Sequence, residues 1–541
     1  MRVKRAPFTV TIVAAALAAA CGGGDQKKGS TLPPGGQAQE QTDATGAEQQ
    51  ALQLPAIPAQ PAAMPPEVLA TISIGTPQEQ FGQLAAYADA ISPGMGAMVG
   101  PNLVTMLAGA IGAPGLDGYD LAKPLHLVVL DPMKGGGEAL LVVGVADEQR
   151  LAGSVGGDAM VQVHDGFAAI GKGQALVAAS AYALSNLAKT SPAPYPKAVI
   201  YMARIMDSHG KRLEDEIRAN FGAGSNAAEM KAAEGMMQAL RAIDRLEATL
   251  EASKDDATVS FLVHPVAGSG MASWAQSQQA ADYTVASRLP KGPWLMLAAG
   301  RVDWTALTGF WGEVAAAQGN QELAEYFPHL GNEIAVALLA KENKDFRISA
   351  LFSLKEGSSK TVGELFAAYA KGMAKDPKKM DSMQVTGKAG AYRTGGATLH
   401  RLNVQPGPDS SPEDKKEFAK TFGKGGLTSY FGVAGDWAVF AMDKDKGAKS
   451  LAAKTVSGAK KKKVAKSQLG KVFDAAVEDS KARKESGLMV FDLAAVAPDP
   501  VAAKGAMVTV GLGFEGPVAR MRLSIPPATP RAFMMQSQAM P

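Results

Sequence analysis

The chain reads as an α+β protein of two tandem, pseudo-repeated domains, each a mainly antiparallel sheet with helices on one face. Three observations predict this. Four segments share one grammar: a short apolar strand, a helical insert, a two-stranded hairpin, then a closing helix or extended tail. Each hairpin turns on residues suited to reversal: Gly135-Gly136-Gly137, Lys254-Asp255-Asp256, Asn343-Lys344-Asp345 and Gly516-Pro517. The stretch Arg288-Leu289-Pro290-Lys291-Gly292-Pro293 has linker chemistry and separates an expected domain at 67–288 from one at 291–541.

In chain order, Arg2, Lys4 and Arg5 lead an apolar run from Phe8 to Leu17, the charge and length of a secretory signal. Leu17-Ala18-Ala19-Ala20-Cys21 then places small residues before the only cysteine of the chain. This resembles a bacterial lipoprotein signal, with the leucine four rather than three residues before the cysteine. The resemblance implies that 1–20 is removed and that Cys21 is acylated, with palmitate among its chains, as the mature N-terminus. It also implies a cell-envelope protein held to the membrane through its lipid. Gly22, where an aspartate commonly retains lipoproteins in the inner membrane, favours the outer membrane of a Gram-negative cell. Residues 21–66 then form a lipidated tether. Gly22-Gly23-Gly24, Pro33-Pro34 and a glutamine-rich middle offer too little apolar surface to fold. As a flexible coil it reaches roughly 35–40 Å.

The first strands of the four copies are predicted at Val68–Gly75, Lys197–Ile205, Trp294–Val302 and Gly487–Leu493. Alternating apolar residues place the hairpins at Leu125–Leu130 with Ala139–Val145 and Leu246–Ala252 with Ala257–His264. The other two are Glu333–Ala340 with Phe346–Leu354 and Ala506–Phe514 with Val518–Ile525. In copy two, Met230, Ala233, Met237, Leu240 and Ile243 share a helical face, while Leu246, Ala248 and Leu250 alternate with polar residues. Alignment with the other copies ends that helix near Arg241 and starts a strand at about Asp244. Asp165–Ile170 and Gly435–Phe440 are matching further strands, each leading to a helix at Ala181–Lys189 or Gly447–Lys454. Beyond the leader, the body resembles the duplicated α+β lipoproteins of uncharacterised bacterial families, a likeness of pattern that brings no catalytic motif.

The net charge of +3 resides in the leader, since removing Arg2, Lys4 and Arg5 leaves 3 − 3 = 0. A neutral mature chain has no field to attract nucleic acid. With Cys21 consumed by lipid, no thiol remains for disulfides, redox work or metal ligation. Residues 91–116 lack charge, but Pro93, Gly94, Pro101, Gly112 and Pro114 interrupt them, so a buried helix is expected rather than a membrane span.

Several motifs match in spelling and fail in context. Gly511–Gly516 spells a dinucleotide fingerprint, but a strand, Val518–Ile525, follows where a helix is required. Gly166–Lys172 resembles a phosphate loop, but Gly173 replaces the magnesium-binding hydroxyl and Ala175–Ala179 reads as a strand. Asp443-Lys444-Asp445 opens like a calcium loop but has Lys454 at the closing acid, so the aspartates are expected to cap the next helix. His126, His164, His209, His264, His329 and His400 contain no pair within helical reach of each other, hence no local zinc pair. Ser208-His209-Gly210-Lys211 spells the Ser-x-x-Lys of penicillin-binding enzymes without Lys-Thr-Gly or Ser-Asp-Asn, and Asp207 or Ser208 reads as a helix N-cap. Lys460–Lys463 with Lys466 reads as a solvated loop, with anionic headgroups as the alternative partner.

No catalytic, metal or cofactor residue is therefore assigned; Cys21 is the single site residue, as a lipidation site. The expected function is a membrane-anchored, non-catalytic binding or scaffold module whose partner is an envelope protein or an apolar ligand. Its contacts would come from the variable inserts, with Met95, Met98 and Met106 in copy one and the charged helices 211–221 and 226–241 in copy two. Alternatives are a carrier of lipid or another apolar ligand, and an envelope hydrolase.

Overall fold

A computed structural model of the chain describes residues 53–538, apart from 111–116, 135–138, 157–158, 191–193, 222–226, 293, 305–324, 341–345, 381–382, 424, 462–470, 496, 498–500 and 502. Cys21 and two of the four expected hairpin turns, Gly135-Gly136-Gly137 and Asn343-Lys344-Asp345, lie outside the described residues. Contacts cluster into two units, residues 1–85 with 94–200, and residues 86–93 with 201–541.

The first unit holds β1 (Val68–Ile74), β2 (Tyr119–Asp120), β3 (Leu125–Leu130), β4 (Ala139–Val145), β5 (Ala159–His164), β6 (Phe167–Lys172) and β7 (Lys197–Ile200). They pair antiparallel in the order β7-β1-β3-β4-β6-β5, with β2 beside β4. The β5–β6 turn is Asp165-Gly166, both at positive φ (49° and 74°), the backbone that a two-residue hairpin needs. The helices are α1 (Pro77–Ile91), whose last turns belong to the second unit, α2 (Val99–Ala110), α3 (Glu148–Ser154) and α4 (Gly173–Ser185). Phe81 of α1 and Leu151 of α3 join Leu127, Leu141 and Ile170 in one core. Ala175 of α4 stands on the other side, beside Gly171 and Leu140.

The second unit is one continuous antiparallel sheet. Its strands are β8 (Ile243–Ala252), β9 (Ala257–Pro265), β10 (Trp294–Arg301), β11 (Leu330–Ala340), β12 (Phe346–Leu354), β13 (Lys378–Met380) and β14 (Met383–Thr394). They continue with β15 (Ala397–Pro406), β16 (Leu427–Val433), β17 (Trp437–Lys444), β18 (Glu485–Asp492), β19 (Met507–Glu515) and β20 (Val518–Ile525). The order is β8-β9-β20-β19-β18-β10-β11-β12-β17-β16-β15-β14-β13. Its helices are α5 (Met202–Phe221), α6 (Ala227–Arg241), α7 (Gly270–Ser277), α8 (Ser359–Lys375), α9 (Pro412–Phe422), α10 (Asp445–Ala459), α11 (Lys471–Ala482) and α12 (Ala528–Gln538).

The repeat survives in the ladder order. β1-β3-β4-β6-β5 of the first unit is matched by β10-β11-β12-β17-β16 of the second. The predicted end of the copy-two helix at Arg241 and the strand after it are both found.

The architecture expected from the sequence, two tandem α+β domains with helices on one face, is not what the repeats build. The copy-two hairpin β8–β9 pairs through β9 with β20 of copy four, from Ala519↔Val263 to Ile525↔Ala257. Strands from both expected domains thus share one strand-rich sheet. Helices cover both of its faces. Adjacent residues of a strand point to opposite sides; Val439 and Ala441 pack with Leu451 and Val456 of α10, whereas Ala438 packs with Val362 and Phe366 of α8. The expected linker is also part of this core. Leu289 is buried, and Arg288 donates to the carbonyls of Ala459 (3.1 Å) and Lys461 (2.7 Å) while lying over the Trp437 ring.

Local corrections follow from burial. Ala175–Ala179, expected as a strand, lies in α4, whose residues are buried on several sides, so no polar face betrays its period. The copy-two first strand stops at Ile200, and α5 begins at Met202. The last part of the expected tether is docked: Gln162 donates to Pro55 O (2.9 Å), Ala62 N donates to Ser185 (2.8 Å), and Asn186 donates to Ala62 O (3.2 Å).

Candidate functional site

In an antiparallel ladder, residues directly opposite each other share a face, so register traces each side of the second unit's sheet. One row runs Thr249–Ser260–Arg522–Gly511–Leu488–Ala299–Ala335–Leu351–Val439 across nine strands, β8 to β17. From Arg522 onward every member is buried. The row beside it on the opposite face runs Leu250–Val259–Leu523–Val510–Met489–Ala298–Val336–Ala350–Phe440. It is wholly apolar, yet Leu250 through Val336 are only half-buried. The flanking row, Ala248–Phe261–Met521–Leu512–Gly487, repeats this pattern.

The usual relation of polarity to burial is thereby inverted at β19 and β20. Thr509, Gly511 and Gly513 are buried while Val510, Leu512 and Phe514 are half-exposed. On β20, Met521 is 38% exposed and its neighbour Arg522 only 4%. A buried arginine beside an exposed methionine is the informative kind of departure from the inside–outside rule.

What holds the polar side closed is ionic. Arg522 donates from Nε (2.9 Å) and a terminal nitrogen (3.2 Å) to the two oxygens of Glu485, itself fully buried, and also reaches Asp479 Oδ2 at 2.8 Å. The bidentate fork satisfies both charges. Burial alone would lower the arginine's pKa, but Glu485 and Asp479 more than offset it and the net direction is up. Burial, with the Glu485 charge next, pushes the Tyr283 phenol up; its hydroxyl donates to the Glu485 carbonyl at 2.9 Å. Gly511 is required because a Cβ there would overlap the Glu485 carboxylate. These groups are saturated with one another and form a structural cluster.

On the open side, α7 meets the strand ends through Trp274, edge-on to Phe514 at 5.2 Å. At the far end α8 covers β16 and β17, with Phe366 edge-on to Phe431.

The residues singled out from sequence fall elsewhere. Gly511–Gly516 lies in β19 and its turn into β20, as expected. Gly166 is a hairpin turn and Phe167–Lys172 a strand; a helix does follow Lys172, but the glycine–lysine pair is in β6 rather than in a loop able to wrap a phosphate. Ser208 and Lys211 lie inside α5, so the expected N-cap role of Asp207 or Ser208 is corrected. Lys444, not an aspartate, occupies the N-cap of α10 without a side-chain cap; Asp443 is buried on β17 and accepts from Lys444 N at 2.7 Å.

Among the histidines, His126 is 3% exposed, its Nδ1 2.8 Å from Ser73 Oγ, and burial holds its pKa down at about 4. His264 sits 3.1 Å from Glu247, His164 3.3 Å from Asp165, and His329 3.3 Å from Ser358. His400 on β15 is lowered by burial and by Lys371. Among the described residues no three His, Cys, Asp or Glu side chains gather as a metal site. Met95 and Met98 are exposed, at 38% and 62%. Arg241 of α6 pairs with Glu214 of α5 at 3.0 Å, so the charged copy-two inserts hold each other. Lys460 donates to Gly395 O, while Lys462, Lys463 and Lys466 lie outside the described residues.

No protein family, no curated protein and no solved structure matches the chain. Among the described residues no helix is long and apolar enough to cross a membrane.

The apolar face is not legible in the sequence, for a physical reason. Val508, Val510, Leu512 and Phe514 alternate with Thr509, Gly511 and Gly513 as an inward face normally would. The available signal was Arg522 and Glu485, opposite charges on strands whose other residues allow them to meet.

Proposed function

We propose that the chain is a non-catalytic envelope lipoprotein, moored through acyl chains on Cys21, whose body works as a binding module through the apolar face of β8, β9, β20, β19, β18, β10 and β11. The leader and Gly22 support mooring in the envelope, at the outer membrane. One observation carries the choice of surface: Met521 exposed beside Arg522 buried. A sheet that closes over its polar side, and leaves its apolar side half-covered across seven strands, has its unsatisfied surface where a partner would remove it from water.

Maleimide labelling tests both parts together, because Cys21 is the only cysteine. The wild-type chain is expected to take up no label, its thiol being a thioether. Met521→Cys is expected to label readily in the purified chain and at least fivefold more slowly in intact membranes, with Lys416→Cys on exposed α9 labelling equally in both. A labelled wild-type chain contradicts the acylation; equal rates at residue 521 contradict the binding face.

A further inference from the structure

Resting on the reading of this face as a binding surface, we infer that its occupant is the hydrocarbon of a membrane lipid. Across β8 to β11 in ladder order, the row from Leu250 to Val336 and the flanking row through Met521 carry no charge and no side-chain donor or acceptor. A protein partner brings roughly one hydrogen bond per 100–200 Å² of interface and a polar rim to receive it. This surface can answer neither, whereas an acyl chain asks for neither.

Its dimensions agree. Seven strands leave six gaps of about 4.8 Å, a strip about 29 Å wide, and the same-face run Val508, Val510, Leu512 and Phe514 makes it about 20 Å deep at β19. An acyl chain spans one leaflet, half of the ~30 Å hydrocarbon thickness of a bilayer or about 15 Å, so the strip has room for the two side-by-side chains of a diacyl lipid. At a depth of about 20 Å the strip offers at most about 580 Å² to a second copy, about 1,160 Å² in total, below the ~1,200 Å² at which stable protein interfaces begin. A chain moored at a membrane by its own lipid would meet such ligands at high local concentration.

The probe is cis-parinaric acid, an 18-carbon fluorescent fatty acid, titrated into the full chain. Saturable fluorescence enhancement is expected. Met521→Glu should weaken it at least tenfold with the unfolding midpoint unchanged, and Lys416→Glu should leave it alone. If Met521→Glu unfolds, Met521→Gln decides, with a threefold or greater loss expected. Native mass spectrometry of the chain released from membranes should show a diacyl-lipid adduct beyond the covalent lipid. Binding indifferent to every substitution at 521 overturns the inference. So does absence of enhancement, or a dimer that Met521→Glu disperses without any lipid. Absence of enhancement with residue 521 still shielded in membranes would spare the binding-module reading and sink only the lipid; loss of both would sink both.

Discussion

Glu485→Ala is expected to destabilise the second unit by about 3–5 kcal/mol, because it strands a buried arginine. Arg522 is 4% exposed and holds Glu485 through two hydrogen bonds; after truncation only Asp479, at a partly exposed rim, remains within 2.8 Å. The same change leaves space over Gly511, whose lack of a side chain exists to admit that carboxylate. Denaturant unfolding of the variant measures the loss. The double variant Glu485→Ala/Arg522→Met should recover much of it, since removing both charges of a buried pair costs far less than removing one. A single variant within 1 kcal/mol of wild type would show that the polar side of β20 is open to water.

The second large effect is a pH dependence seated at His126. Its pKa is about 6.5 in an unfolded chain and about 4 in the fold, where burial disfavours the imidazolium. Below pH 6.5 the unfolded chain therefore binds a proton that the folded chain refuses. Stability is full above that pH and falls as acid approaches pH 4, by about 1.4 kcal/mol per unit and about 3 kcal/mol overall. Comparing unfolding free energies of wild type and His126→Leu between pH 7 and 4 isolates this from His400, lowered in the same direction. The variant loses the Ser73 hydrogen bond at every pH but should show the shallower curve. Parallel curves would mean that the ring accepts its proton in place.

How much of this was written plainly in the sequence depends on whether the deciding contact is local. Hairpins were legible: Lys254-Asp255-Asp256 and Gly516-Pro517 reverse the chain by their own chemistry, and the strands flanking them alternate. The repeat made a helix-like run yield to a strand after Arg241. Pairing between β9 and β20 was not legible, because the two strands are separated by more than half the described chain and no local rule selects that edge. The linker reading failed for a related reason. Proline and glycine at 290–293 mark irregular backbone, but Val285, Ala286 and Leu289 just before them carry the apolar surface that fixes the segment in the core.

For the site, alternation along β19 and β20 reveals two chemically distinct faces, and only the helices can say which is covered. α10 and α11 settle on the side of Leu488 and Val490, which places Arg522 inside and Met521 outside. The proposed acylation of Cys21 is read from the leader motif, Leu17-Ala18-Ala19-Ala20-Cys21.

Everything proposed for the body depends on which side of β20 meets solvent. Oxidation of the purified, ligand-free chain by dilute peroxide, with each methionine followed by peptide mass spectrometry, reads this directly. Met521 should oxidise with Met98 and Met133, which are 62% and 72% exposed, and well ahead of Met373 and Met237, at 4% and 3%. A Met521 as slow as Met373 would place the apolar face inside and contradict the account.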